Sequence, residues 1–171
     1  MKTTDLNPNE YAEFYATYIR KVEDITLKDG FEAKMKDAID FYESFPVDKH
    51  EYRYAEGKWT IKEILQHIID TERVFAYRAL WIARRNETAL PGFDQNEFND
   101  VAKANERTLT DLIAEYKAVR QSTNFLFANL TDDDLKALGT ASGYSVSARA
   151  LGFMILGHEE HHIQILKERY L

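Results

Sequence analysis

Five histidines and no cysteine define the soft-ligand chemistry open to this 171-residue chain, and three of those histidines fall in one run, Gly157-His158-Glu159-Glu160-His161-His162-Ile163-Gln164. On an α-helix, residues four apart lie one turn up and roughly 40° around, so His158 and His162 project the same way with their rings about 6 Å apart along the axis. That spacing suits two ligands of one metal ion. Leu151, Met154, Ile155, Ile165 and Leu166 form an apolar stripe at helical period, and both histidines fall in its centre. His161 and Glu159 flank the pair at the stripe's edges. A neutral imidazole carries one donor and one acceptor nitrogen, and each left unpaired in an apolar interior costs about 1–3 kcal/mol. A cation relieves this by accepting a lone pair from each ring. A lone histidine here would be a core residue satisfied by backbone or water; an i, i+4 pair in mid-stripe favours metal.

Two histidines leave an ion undercoordinated, so a third protein ligand is wanted, with positions left for water or substrate. His50 lies in a polar connection and is expected at the surface. His67 lies on a helix long enough to pack against the last one, which makes it the natural third ligand beside His158 and His162. The run also satisfies H-E-x-x-H, the zinc-protease pattern. Those enzymes take a further ligand downstream, and here only residues 163–171 follow His162, with Glu168 projecting about 100° away from the pair. Glu159 remains a candidate general base on a water held by the metal. Asp70, one turn from His67, is a candidate to orient that ring; the ordinary reading of Asp70, Glu63 and Asp94 is a solvated helix face, a cap and a turn. Three neutral histidines leave a divalent ion its full charge, which lowers the pKa of a coordinated water or thiol by several units. With no cysteine, any thiol comes from solution as a cosubstrate.

The elements that position these residues are helical. Asn7-Pro8 opens a short segment with Tyr11, Phe14, Tyr15, Tyr18 and Val22 at helical spacing, and Asp29-Gly30 breaks it. A helix is expected from Phe31 to Ser44, stopped by Pro46. Thr60-Ile61-Lys62-Glu63 is a capping box opening a helix to about Arg85. A loop over Asn86–Phe98, a long helix from Asp100 to Asn129 and a short one from Thr131 to Leu138 follow. Gly139–Gly143 is loop, and Ser145 or Ser147 caps the last helix, which runs nearly to Leu171. No alternating strand pattern of useful length occurs. The reading is all-α, a four-helix bundle with short extra N-terminal and loop helices in one domain, residues 1–171, large enough to bury roughly 70% of its unfolded surface. Ala150–Leu156 is apolar nearly all round, and Phe153 and Ile163 lie off the core stripe. Such a helix is sandwiched in the bundle or shared with a second subunit, and a homodimer is expected.

Composition narrows the partners. The net charge is −7, from 22 basic and 29 acidic residues, with no basic patch, which argues against a nucleic-acid groove. Hydrophobic content of 44% with 30% charged residues is that of an ordinary globular chain. Met1–Pro8 lacks the apolar core of a signal peptide and no run approaches ~18 apolar residues, so no membrane partner and a cytoplasmic location are expected.

Three blocks of sequence carry a family resemblance: Tyr54-Ala55-Glu56-Gly57-Lys58-Trp59-Thr60-Ile61-Lys62-Glu63-Ile64-Leu65-Gln66-His67-Ile68-Ile69-Asp70, then Leu90-Pro91-Gly92-Phe93-Asp94, then Gly157-His158-Glu159-Glu160-His161-His162. Together, from about Tyr52 onward, they resemble the DinB/YfiT-like superfamily. The resemblance implies an up-down-down-up bundle, often dimeric, and a divalent metal, zinc or nickel among others, held by one histidine of the second helix and two of the last; by position these are His67, His158 and His162. It also implies a small-molecule substrate and either thiol-dependent transfer or isomerisation, with bacillithiol, mycothiol or glutathione, or metal-dependent hydrolysis. Several relatives carry Arg-Gly-Gln after the last ligand where this chain has Ile163-Gln164, so their substrate contacts do not transfer. The competing reading is a stress-related binding module with a structural ion and no catalysis.

Overall fold

The computed structural model of the chain describes residues 1–171. Four long helices make the frame. Each begins at a hydroxyl cap: α2 (Leu27–Glu43) at Thr26, α3 (Ile61–Ala83) at Thr60, α5 (Leu109–Ala128) at Thr108 and α7 (Ala148–Arg169) at Ser147. In every case the side-chain oxygen accepts from a backbone N–H of the first turn, which otherwise has no partner. Thr60 and Glu63 form the reciprocal box expected of them. The intervening elements are short: α1 (Ala16–Ile19), α4 (Gln95–Ala102) and α6 (Asp132–Leu135).

Cross-helix contacts fix the directions. A Cβ at Gly30 would lie 2.6 Å from Leu156 Cδ1, and Lys34 pairs with Glu160, so α2 runs parallel to α7. The Tyr170 hydroxyl donates to the Trp59 carbonyl at 2.6 Å, tying the end of α7 to the start of α3, so those two are antiparallel. Arg107 with Gln66, Arg73 with Glu115 and Arg120 with Glu72 set α5 alongside α3 in the same sense. The order is up-down-down-up, and the passage from α3 back to the start of α5 is the loop that carries α4.

Three expectations are corrected. First, α2 begins at Leu27, and Gly30 lies inside it rather than ending the segment before it. Thr26 supplies the cap, and the glycine leaves room for the methyl groups of Leu156 and Ile25, which would lie 2.6 and 2.8 Å from a Cβ there. Second, the helix expected from Asp100 to Asn129 is two helices, parted at Lys103, which adopts a left-handed φ of 54°. No glycine or proline announces the break. It is stabilised from outside: the buried Lys62 ammonium donates to the carbonyls of Asn105 and Arg107, both at 2.9 Å, groups the break leaves without helical partners. Third, residues read as loop form a hairpin, β1 (Leu138–Ala141) with β2 (Tyr144–Ser147), turned by Ser142 and Gly143 at φ 53° and 81°. Two positive φ values in a two-residue loop match the twist of the paired strands, but strands of four residues with few apolar side chains leave little alternation to read.

Two apolar clusters fill the bundle. One packs Phe31, Phe127 and Phe75 around the first half of α7; the other packs Tyr42, Leu65, Leu112 and Leu166 around the first half of α3. Leu151, Phe153 and Leu156 are all buried, each contributing about 1.5–3 kcal/mol. The apolar girdle of α7 is therefore covered within the chain, Phe153 and Ile163 included. No helix is long and apolar enough to cross a membrane.

Candidate metal centre

Between the two clusters α3 meets α7, and there the side chains of His67, His158 and His162 converge. His67 Nε2 lies 2.9 Å from His158 Nε2, and His162 Nε2 lies 3.1 Å from the same atom. One potential ligand atom from each residue lies within 4.8 Å of the other two. An imidazole nitrogen holds one proton or one lone pair, so His158 Nε2 can bond to only one of its two neighbours. The other is left without a partner at a site where His67 and His158 are 5% and 6% exposed. A cation accepts all three lone pairs at once, and ligands of a tetrahedral ion stand about 3.3 Å apart, close to the spacing here. The residues fit a divalent metal.

Electrostatics favour the ligating state. Burial pulls the His67 pKa down to about 4, and burial with the neighbouring charges of His67 and His161 pulls His162 down to about 3. His158 is lowered further by burial and then by the other three histidines around it. All three rings are neutral at pH 7, as lone-pair donors must be. The Thr71 hydroxyl lies 3.4 Å from His67 Nδ1, behind the ring.

Aromatic side chains close the surroundings. The Trp59 ring packs on His67 with centroids 4.9 Å apart, and Tyr18 stands edge-on to both His158 and His161 at 5.5 and 5.2 Å. Tyr18 comes this close because residue 157 is glycine; a Cβ there would lie 2.1 Å from the Tyr18 carbonyl oxygen. The partly exposed His162 borders a cavity of about 260 Å³. A larger polar cleft, about 630 Å³, lies by Asp5, Asp132 and Arg149, more than two turns of α7 from His158, and its buried Glu10 and Arg149 neutralise each other.

The other candidates lie elsewhere. Glu159 points away from the histidines, accepting from the Tyr116 hydroxyl at 2.5 Å and from Arg120 at 3.0 and 3.1 Å. Burial raises its pKa, against the opposing pull of Arg120 and Tyr116. Asp70 does not reach His67; it accepts from Gln66 and pairs with Arg73. His161 stays beside Tyr18, outside the cluster, and His50 is only partly exposed, its Nε2 3.1 Å from the Phe45 carbonyl. Arg120 is the residue missed. Fully buried, it binds Glu72 of α3 and Glu159 of α7 together, so one guanidinium joins the two helices that carry the histidines. Its signal was in the sequence: a charged residue four after Tyr116 and three before Thr123, in the middle of an apolar stripe.

The model of the DinB superfamily matches residues 31–166. The structure of YfiT from Bacillus subtilis, described as a probable metal-dependent hydrolase with an unusual four-helix bundle topology, superposes with a TM-score of 0.71 at 17% identity, covering 95% of this chain and 89% of that one. YjoA, a DinB-like protein from Bacillus subtilis, gives 0.59 at 22% identity over 83% and 87%. A mycothiol-dependent maleylpyruvate isomerase gives 0.63 at 13% identity, covering 99% of this chain and 63% of that one. No curated protein matches the sequence significantly.

Proposed function

The chain belongs to the DinB superfamily, and on that premise we propose a metal-dependent enzyme acting on a small molecule, with His67, His158 and His162 holding a divalent ion, zinc or nickel. The attacking group is a low-molecular-weight thiol or water. The observation that carries this reading is the meeting of three Nε2 atoms, two from buried histidines and one from the half-buried His162, that cannot all satisfy one another. When bound, such an ion supplies Lewis acidity, lowering the pKa of a thiol or water beside it towards neutrality.

The chain's own residues do the rest. Burial keeps the three rings unprotonated at pH 7. Trp59 and Tyr18 exclude bulk water from two sides, and the cavity at His162 admits the reactants. Glu159 serves by holding α7 to Arg120, since both its oxygens are engaged. Asp70 is engaged within α3, by Gln66 and Arg73. The absence of cysteine leaves the thiol to come from solution, and the likenesses to a mycothiol-dependent isomerase and a probable hydrolase support the two chemistries equally.

Elemental analysis of the purified chain tests the first step, with about one divalent ion per chain expected. A panel of small thiols against a haloarene then tests transfer. His67→Ala loses both the ion and turnover while keeping its helical signal; a chain that binds no divalent ion ends the proposal. A structural ion in a binding module predicts instead that His67→Ala melts the bundle, an outcome disfavoured because Arg120 already ties α3 to α7.

A further inference from the structure

Resting on that reading, we infer that the cavity beside His162 is the substrate pocket and takes a small aromatic carboxylate, its ring between aromatic walls and its charge on Lys58. At about 260 Å³ the space falls below the roughly 300–1,000 Å³ of drug-sized sites, which restricts the ligand to about one ring and a short substituent. His162 is one of its lining residues, so whatever fills it lies beside one of the three clustered histidines. The walls are flat. Trp59 backs onto His67, Tyr54 stands edge-on to Tyr170 at 5.3 Å, and the Tyr170 hydroxyl donates its proton to the Trp59 carbonyl, so Tyr170 offers a ligand carboxylate its ring and no hydrogen-bond donor. Ile165 completes the apolar side. A planar ligand gains stacking here that a puckered one does not.

The charge preference follows from the rim. Lys58 is exposed, lines the cavity and lies 6.0 Å from the Tyr54 ring centroid, and no carboxylate pairs with it, whereas its neighbours Arg53 and Lys62 pair with Glu63 and Glu51. In a chain of net charge −7 an unpaired cation at the mouth of a pocket marks the end that receives an anion.

Calorimetric titration of the metal-loaded full chain with benzoate, benzamide and cyclohexanecarboxylate tests this. Benzoate is expected to bind at least tenfold more tightly than either analogue. Lys58→Gln should erase the advantage over benzamide and leave benzamide binding unchanged. Ile165→Trp, which fills the pocket, should weaken benzoate tenfold or more. Equal affinities for the three compounds, or a benzoate advantage that survives Lys58→Gln, overturn the inference. So does indifference to Ile165→Trp. The metal content of the same sample is read in parallel. A chain that takes up no divalent ion refutes the proposed metal centre, while the benzoate comparison stays readable because Lys58, Tyr54 and Tyr170 stand without it.

Discussion

Arg120 holds Glu159 through two hydrogen bonds, of 3.0 and 3.1 Å, one residue after the histidine at the middle of the cluster. The same guanidinium holds Glu72, five residues after His67. The two histidine-bearing helices are therefore tied together by an ion-pair network in the core, independently of anything bound between the histidines. A site preorganised in this way does not spend binding energy on drawing its ligands together.

Arg120→Met is expected to be among the most destabilising single changes in the chain. It leaves two carboxylates buried without their cation, and breaking a buried pair by removing one partner costs about 3–5 kcal/mol. Denaturant unfolding followed by circular dichroism measures it. Adding Glu72→Gln and Glu159→Gln to Arg120→Met should recover a good part of the loss, because no buried charge then lacks a partner. Failure to recover any would mean that Arg120 acts through packing instead.

A divalent ion is expected to raise the melting temperature of the wild-type chain and a chelator to reverse the rise. At a free concentration one hundred times Kd the stabilisation is about 2.7 kcal/mol. His158→Ala should abolish the effect, since its Nε2 is the atom both other rings approach. His161→Ala should leave it intact, because that ring lies outside the cluster. Thermal scans of the three chains with zinc and with chelator check this.

What the sequence discloses depends on how local each feature is. The i, i+4 pair at His158 and His162 needs only helical periodicity, and the caps at Thr60 and Ser147 need only a hydroxyl before a first turn. His67 becomes a candidate through its place on a long amphipathic helix. The break at Lys103 is invisible because its stabilising partner, the Lys62 ammonium, arrives from another helix. The same holds for Gly30, whose close neighbour is Leu156, and for Arg120, whose partners lie 48 and 39 residues away. Periodicity reports which face is buried; it does not report which buried charge meets which.

Acid should weaken the anchoring of the N-terminal segment. Glu10 is buried against Arg149 and Ser147, and although burial alone would raise its pKa, the hydrogen bonds from Arg149, Ser147 and Asn7 bring it down to about 2. Its folded pKa is below the unfolded 4.5, so the unfolded chain binds more protons between those values and stability falls with pH there. The contribution is complete above about pH 4.5, is lost as pH falls towards 2, and is of the order of 3 kcal/mol. Unfolding free energies of the wild type and Glu10→Gln measured from pH 6 to 2 should converge as the pH drops. Parallel curves would show that this carboxylate is not the titrating group.

Gly157→Ala should release the N-terminal segment from the face of α7. The new methyl group would lie 2.1 Å from the Tyr18 carbonyl oxygen, and backbone on both sides leaves no side chain free to swing aside. Overpacking of this kind costs typically about 1–3 kcal/mol, and the cheapest relief is to lift residues 16–22 away from the histidines. Tyr18 would then leave His158, opening a second face of the site to water. Limited proteolysis should cut the variant early in the first 26 residues while the four long helices stay protected, and its affinity for zinc should fall less than that of His158→Ala. Protection equal to the wild type would mean that α7 itself shifts to accommodate the methyl group, in which case zinc affinity, set by His158 one residue further on, should fall instead.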